Sequence, residues 1–392
     1  MRWKMELRKR IKSAAGLENF FPLYEEEKLW FQKTGGAVSN SIVSNNAVSN
    51  ASSNNVASNN APSNAAVSKN ETSSREAPPF AFQVTPYFLS LAGKKIDDPI
   101  RRQCVPLERE LHCRRGETAD PLDDQARMKA PRLVHRYRDR ALLLVTDECA
   151  VNCRYCFRRY YSGGGRGPIR GNELKAACSY LKARREIREL ILSGGDPLTL
   201  DDNRLFEIID ILREARPGLI LRLSTRIPSV LPSRVTRCLA RGLALRQPLW
   251  GVLHINHAQE LSADCRAAIR RLVSAGIPLV SQTVLLAGIN SDEAVLEELF
   301  RSLIARGVKP YYLFQADLAE GTGGFRVPIR RGQQIMKALR SRLSALALPE
   351  YAVDLPVGGG KVPLTPSYET DEDADSVFFE NIEGKRGAYP KI

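Results

Sequence analysis

Three cysteines stand within eight residues, in Asp147-Glu148-Cys149-Ala150-Val151-Asn152-Cys153-Arg154-Tyr155-Cys156. The spacing C-x3-C-x2-C gathers three thiolates on one short loop, enough to hold three irons of a 4Fe–4S cluster and leave the fourth open. A structural zinc site asks for four ligands, usually as two separated pairs. The four histidines, His112, His135, His254 and His257, offer no second pair beside the loop. The other cysteines are scattered and read as small buried side chains. Other candidates are weaker one by one. Ser193-Gly194-Gly195-Asp196 follows an apolar run and can present backbone polar groups without side-chain obstruction. Lys361 follows three glycines and could form a Schiff base with an aldehyde, although a solvated loop lysine has the same local sequence. Arg136 and Arg140 could grip a phosphate bidentately or be surface charge in an arginine-rich chain. His254 is as readily a satisfied structural histidine.

The elements that must position these groups alternate in type. Apolar runs at 141–146, 189–192, 219–224, 250–255, 279–285 and 311–314 are separated by amphipathic stretches at 172–184, 201–215, 232–241, 262–275 and 293–306. Strands alternating with helices predict parallel βαβ units, hence an α/β barrel or partial barrel. Chemistry in such folds collects at the C-terminal strand ends. Cys149, Ser193 to Asp196, Thr225-Arg226, His254, Gln282 and Asp317 all fall there. Residues 1–34 carry helical spacing, whereas 35–79 are Asn, Ser, Ala and Val, which lack large side chains to bury and read as a disordered insert.

Composition narrows the class. The 392 residues are 43% hydrophobic, enough for one large core or two ordinary ones. The net charge of +14 is spread along the chain without a basic block, so anionic ligands fit and a nucleic-acid role is not demanded. No apolar run reaches the ~18–20 residues of a membrane helix. The charged N-terminus has no secretory apolar stretch. Cysteines without a disulfide framework point to a reducing compartment, the cytoplasm.

The cysteine loop, with an aromatic before its last cysteine, carries the radical S-adenosylmethionine signature, and its surroundings resemble the lysine 2,3-aminomutase family. The matching segments are 133–140, 192–198, 225–228, 254–257, 282–288, 309–312 and Asp354-Leu355-Pro356-Val357-Gly358-Gly359-Gly360-Lys361. The resemblance implies a radical SAM partial (β/α)6 barrel over 141–320. A helical segment at 1–34 and a region at 80–140 would precede it, and a C-terminal extension at 321–392 would follow. It implies a 4Fe–4S cluster on Cys149, Cys153 and Cys156, and S-adenosylmethionine contacts from Ser193, Gly194, Gly195, Asp196, His254 and Gln282. It implies pyridoxal 5′-phosphate on Lys361 with Arg136 and Arg140 at the phosphate. Arg158 would pair the substrate carboxylate, and Asp317 and Asp354 the ε-ammonium of L-lysine. Two carboxylates at one site demand a cation, whereas each alone could cap a helix. The activity implied is lysine 2,3-aminomutase, giving β-lysine; the alternative is a related aminomutase acting on another amino acid or a protein-bound lysine. An electron donor such as flavodoxin or ferredoxin and a homo-oligomeric state are implied as well. Phe314 departs from the family, standing where an aromatic hydroxyl is expected.

Overall fold

The computed structural model describes residues 2–36, 75–356, 358–381 and 384–391. One ten-stranded sheet follows chain order. β1 (Met128–Ala130) and β2 (Leu133–Tyr137) are antiparallel and turn into β3 (Arg140–Thr146). From there β4 (Glu189–Gly194), β5 (Ile220–Thr225), β6 (Leu249–His254), β7 (Leu279–Leu285), β8 (Val308–Gln315) and β9 (Glu350–Leu355) run parallel. β10 (Gly360–Pro363) folds back on β9. The six expected strands are therefore present, and β9 adds a seventh parallel one whose central Tyr351 and Ala352 alone are fully buried, too short an apolar run to stand out.

Period-two alternation decides which side chains face inward. On β4, Leu190 and Leu192 are fully buried against the helices, whereas Ile191 and Ser193 line a cavity shared with Leu142, Arg222, Val252, Gln282, Tyr312 and Asp354. Side chains from β3 through β9 border this one space, so the sheet curls around it as an open barrel. The crossover helices present one apolar stripe each. Asp202–Ala215 buries Leu205, Ile208, Ile209 and Leu212, at the i, i+3, i+4, i+7 spacing, and Asp201 caps it by accepting from the Arg204 N–H. The expected helix at 232–241 is instead a 3-10 turn, Pro232–Arg234, then a helix Arg237–Ala244, because Thr236 caps a new start by accepting from Leu239 N–H.

The N-terminal helices Arg2–Arg8, Ala14–Glu18 and Glu25–Thr34 pack on the barrel through Trp3, Leu17, Trp30 and Phe31. Most of the Asn/Ser tract, 37–74, lies outside the described residues. Its compositional boundary runs too far at the C-terminal side: residues 75–79 are pinned, with Cys113 N–H donating to Arg75 C=O, Ala77 N–H to Leu111 C=O, and Ala77 buried. Composition marks where large side chains return, but backbone pairing starts earlier. At the other end β11 (Glu369–Glu372), β12 (Ser376–Glu380) and β13 (Arg386–Pro390) form a separate antiparallel sheet. Among the described residues no helix is long and apolar enough to cross a membrane.

Candidate active site

The cysteine loop leaves β3 and is held from outside by earlier parts of the chain. Arg10 donates to Cys149 C=O (2.5 Å) and pairs with Glu148 (2.8 Å). The Gln83 amide donates to Cys149 C=O (2.8 Å), and Asn152 to Ala81 C=O (2.8 Å). Between the second and third cysteines, Arg154 is fully buried, forks onto Glu110 (3.0 and 2.8 Å) and donates to Phe80 and Ala81 carbonyls. A buried guanidinium satisfied in this way fixes the loop's direction. All three cysteines are free and line the cavity. Burial, and then their neighbours' negative charge, push the Cys149 and Cys156 thiols up. Among the described residues no three His, Cys, Asp or Glu side chains are gathered as for a single metal ion; a cluster asks less, since each thiolate meets its own iron.

The glycine turn serves the loop as well as the cavity. A Cβ on Gly194 would lie 2.2 Å from Thr146 C=O, one on Gly195 2.2 Å from Glu148 C=O, and Gly194 has φ +113°. Gly195 and Asp196 N–H groups donate to those carbonyls (2.7 and 2.8 Å). These donors are therefore spent on the cysteine loop. The Asp196 carboxylate is buried too, accepting from Thr225 Oγ1 (2.7 Å), Arg226 N–H (2.7 Å) and Leu198 N–H (3.0 Å). His254 and Gln282 are register neighbours on β6 and β7, and Gln282 pairs with Tyr312 on β8, so the three form one row. Gln282 lies mid-strand, not at the strand end. Burial, followed by the nearby Arg226, pulls the His254 pKa down to about 4, leaving a neutral ring 3.3 Å from Tyr155 Oη.

The far half of the cavity is charged. Asp354 on β9 accepts from Lys361 Nζ (2.7 Å), Arg136 (2.6 Å) and Tyr137 Oη (3.1 Å), Lys361 being its register partner on β10. The Lys361 ammonium rests 4.0 Å from the Phe314 ring and 5.0 Å from that of Tyr312. Burial pulls the Lys361 pKa down against the pull of Asp354; burial resists ionisation of Asp354, but Lys361 and Arg136 hold it low. Asp317 has no such partner: burial and the charge of Asp354 raise its carboxyl to about 7. Arg158 forms a buried pair with Asp124, which also accepts from Tyr160 Oη (3.2 Å). Arg140 begins β3, at the end away from the cysteines, with its guanidinium 4.2 Å from the Tyr137 ring and paired to Asp139. Arg136 and Arg140 both line the cavity, their guanidiniums 4.8 and 4.2 Å from the Tyr137 ring.

A family model described as lysine-2,3-aminomutase matches residues 336–391, and one described as a 4Fe-4S single cluster domain matches 139–227. The L-lysine 2,3-aminomutase of Acetoanaerobium sticklandii is 39% identical over 307 residues, 78% of this chain and 74% of that protein. The chain belongs to the lysine 2,3-aminomutase family. The family includes a Clostridium subterminale L-lysine 2,3-aminomutase at 38% identity, covering 78% of this chain and 74% of that one. A glutamate 2,3-aminomutase of Clostridioides difficile is 36% identical over 78% of this chain and 72% of its own.

The residues present fit the family's cofactors. Three thiols line one cavity, and burial pushes those of Cys149 and Cys156 up, so these two become thiolates only beside a strong positive charge, which a metal cluster supplies. Arg136 Nη1 is buried with no hydrogen-bond partner, an orphan donor suited to an anionic group beside Lys361. Sequence reasoning missed Asp124, Gln103, Arg154 and Arg10. Each acts through a partner distant in the chain, and nothing local marks them.

Proposed function

We propose that this chain interconverts L-lysine and L-β-lysine, moving the amino group between C2 and C3. The observation that carries the substrate is the pair Asp317 and Asp354. Lys361 is already seated on Asp354 as a primary ammonium, and Asp317 beside it makes no ion pair among the described contacts, so the pocket suits a second alkylammonium. A substrate with a side-chain carboxylate, as in a glutamate mutase, would find another carboxyl, Asp317, at that place instead of a cation. When bound, the cluster with S-adenosylmethionine supplies a 5′-deoxyadenosyl radical, and pyridoxal phosphate supplies the ring that carries the migrating nitrogen.

Cys149, Cys153 and Cys156 would hold the cluster, and Ser193, Gly194, Gly195, Asp196, His254 and Gln282 would border S-adenosylmethionine. Neutral His254 can accept or donate without adding charge. Lys361, its amine made easier to deprotonate by burial, would attack the cofactor aldehyde, with Arg136 and Arg140 at the phosphate. Arg158 would orient the substrate carboxylate, and Asp317 and Asp354 its ε-ammonium. A low-potential protein such as flavodoxin or ferredoxin would deliver the electron, in a cytoplasmic homo-oligomer. The test is anaerobic turnover of L-lysine by the reconstituted protein, read as β-lysine by mass spectrometry. Product that disappears in Lys361→Ala and Asp354→Ala supports the reading. S-adenosylmethionine cleavage with lysine untouched sinks the substrate assignment.

A further inference from the structure

Among the described residues, Arg226 is the one arginine whose side chain donates to a cysteine sulfur of the triplet. Its Nη1 donates to Cys153 Sγ at 2.6 Å. Its Nη2 donates to Gln103 Oε1 (2.6 Å) and Glu260 Oε2 (3.2 Å), and its own N–H is held by Asp196. Those partners are themselves fixed. Gln103 also accepts from Asn256 and donates to Glu260, and Glu260 accepts from Asn256 and His257 N–H groups. The guanidinium, with 8% of its side chain exposed, therefore has a single orientation.

We infer that Arg226 is a positioning residue that sets the reduction potential of the cluster, by donating a charged hydrogen bond to the sulfur of Cys153; this rests on the cluster reading above. Reduction adds one electron to the cluster, and a cation hydrogen-bonded to a ligand sulfur stabilises that added negative charge. Cys149 has the neutral Ser162 hydroxyl beside it, and among the described residues no second guanidinium donates to a triplet sulfur, so the charged hydrogen bond falls on one thiolate. Glu260 opposes it, because a buried carboxylate one residue behind the guanidinium disfavours the extra electron.

The experiment is a potentiometric titration of the reconstituted, cluster-loaded protein, followed by electron paramagnetic resonance without substrate. Arg226→Gln should shift the reduced-to-oxidised ratio at fixed potential by about ten-fold toward oxidised, a midpoint about 59 mV lower for one electron. Arg226→Lys, which keeps charge and a donor, should recover at least half of that. A Gln variant with the parental midpoint, or a Lys variant that falls as far as Gln, overturns the inference. Should Arg226→Gln fail to fold or load, Glu260→Gln decides: its midpoint must rise, and a midpoint unmoved or lowered overturns the idea. A parent protein that takes up no cluster overturns the cluster reading itself, and the inference with it.

Discussion

Replacing Asp317 with asparagine should stabilise the protein in a pH-dependent way while abolishing lysine turnover. The carboxyl is raised from 3.8 to about 7 by burial and by the charge of Asp354. In the unfolded chain it ionises near 3.8; in the folded chain it keeps its proton until about 7. Between those values the native state binds more protons, so stability falls as pH rises and levels off above pH 7. The whole shift amounts to about 4 kcal/mol at 1.36 kcal/mol per unit. About two units of it lie between pH 5 and pH 8, and because Asp317 borders the cavity we expect about 2 kcal/mol in that window. The amide is nearly isosteric and does not ionise. Urea unfolding of the cofactor-free parent and of Asp317→Asn at pH 5 and pH 8 would measure the gap. The variant's advantage should widen by about 2 kcal/mol from the lower to the higher pH. An advantage equal at both would refute the reasoning, since it would mean that Asp317 is ionised in the folded chain like any exposed carboxylate.

Two further perturbations test the scaffold. Gly195→Ala places a methyl 2.2 Å from Glu148 C=O; the cysteine loop must move, and a loss of about 2–3 kcal/mol with lowered iron content after reconstitution is expected from thermal melts and iron assay. Asp124→Ala leaves Arg158 buried without its carboxylate, which should cost about 3 kcal/mol in chemical denaturation and raise the KM for lysine; a change under about 0.5 kcal/mol would show the pair to be solvated.

Much of this molecule is legible in its sequence because periodicity and local spacing are local quantities. The six barrel strands fall within a few residues of their apolar runs, and the cysteine loop declares itself by spacing. The pieces that escape are those decided in three dimensions. β9 has only Tyr351 and Ala352 fully buried, so pattern alone does not raise it above loop. Asp196 and its glycines look like a cofactor cradle, yet in the fold they also stitch β4 to the cysteine loop and to Thr225. Asp354 looks like half of a bare acidic pair, yet it is neutralised by Lys361 and Arg136, which leaves Asp317 as the perturbed member. Thr225-Arg226 stands out in the sequence, but its contact with Cys153 depends on Gln103 and Glu260, more than a hundred residues apart.

The grip of Arg10, Gln83 and Glu110 on the cysteine loop has a consequence for how the protein is made. A ribosome delivers these three residues before it delivers Cys149, but they can take hold only once the loop has been made. Pairs such as Arg10 with Glu148 span 138 positions, and contacts of that reach close late in folding. The loop should therefore be the last part of the barrel to settle, open to iron and sulfide until the N-terminal helices dock and shut behind it. Metal loading and the final docking step would then be one event, and a chain deprived of iron would show it as slow, incomplete protection of its first thirty residues from proteases.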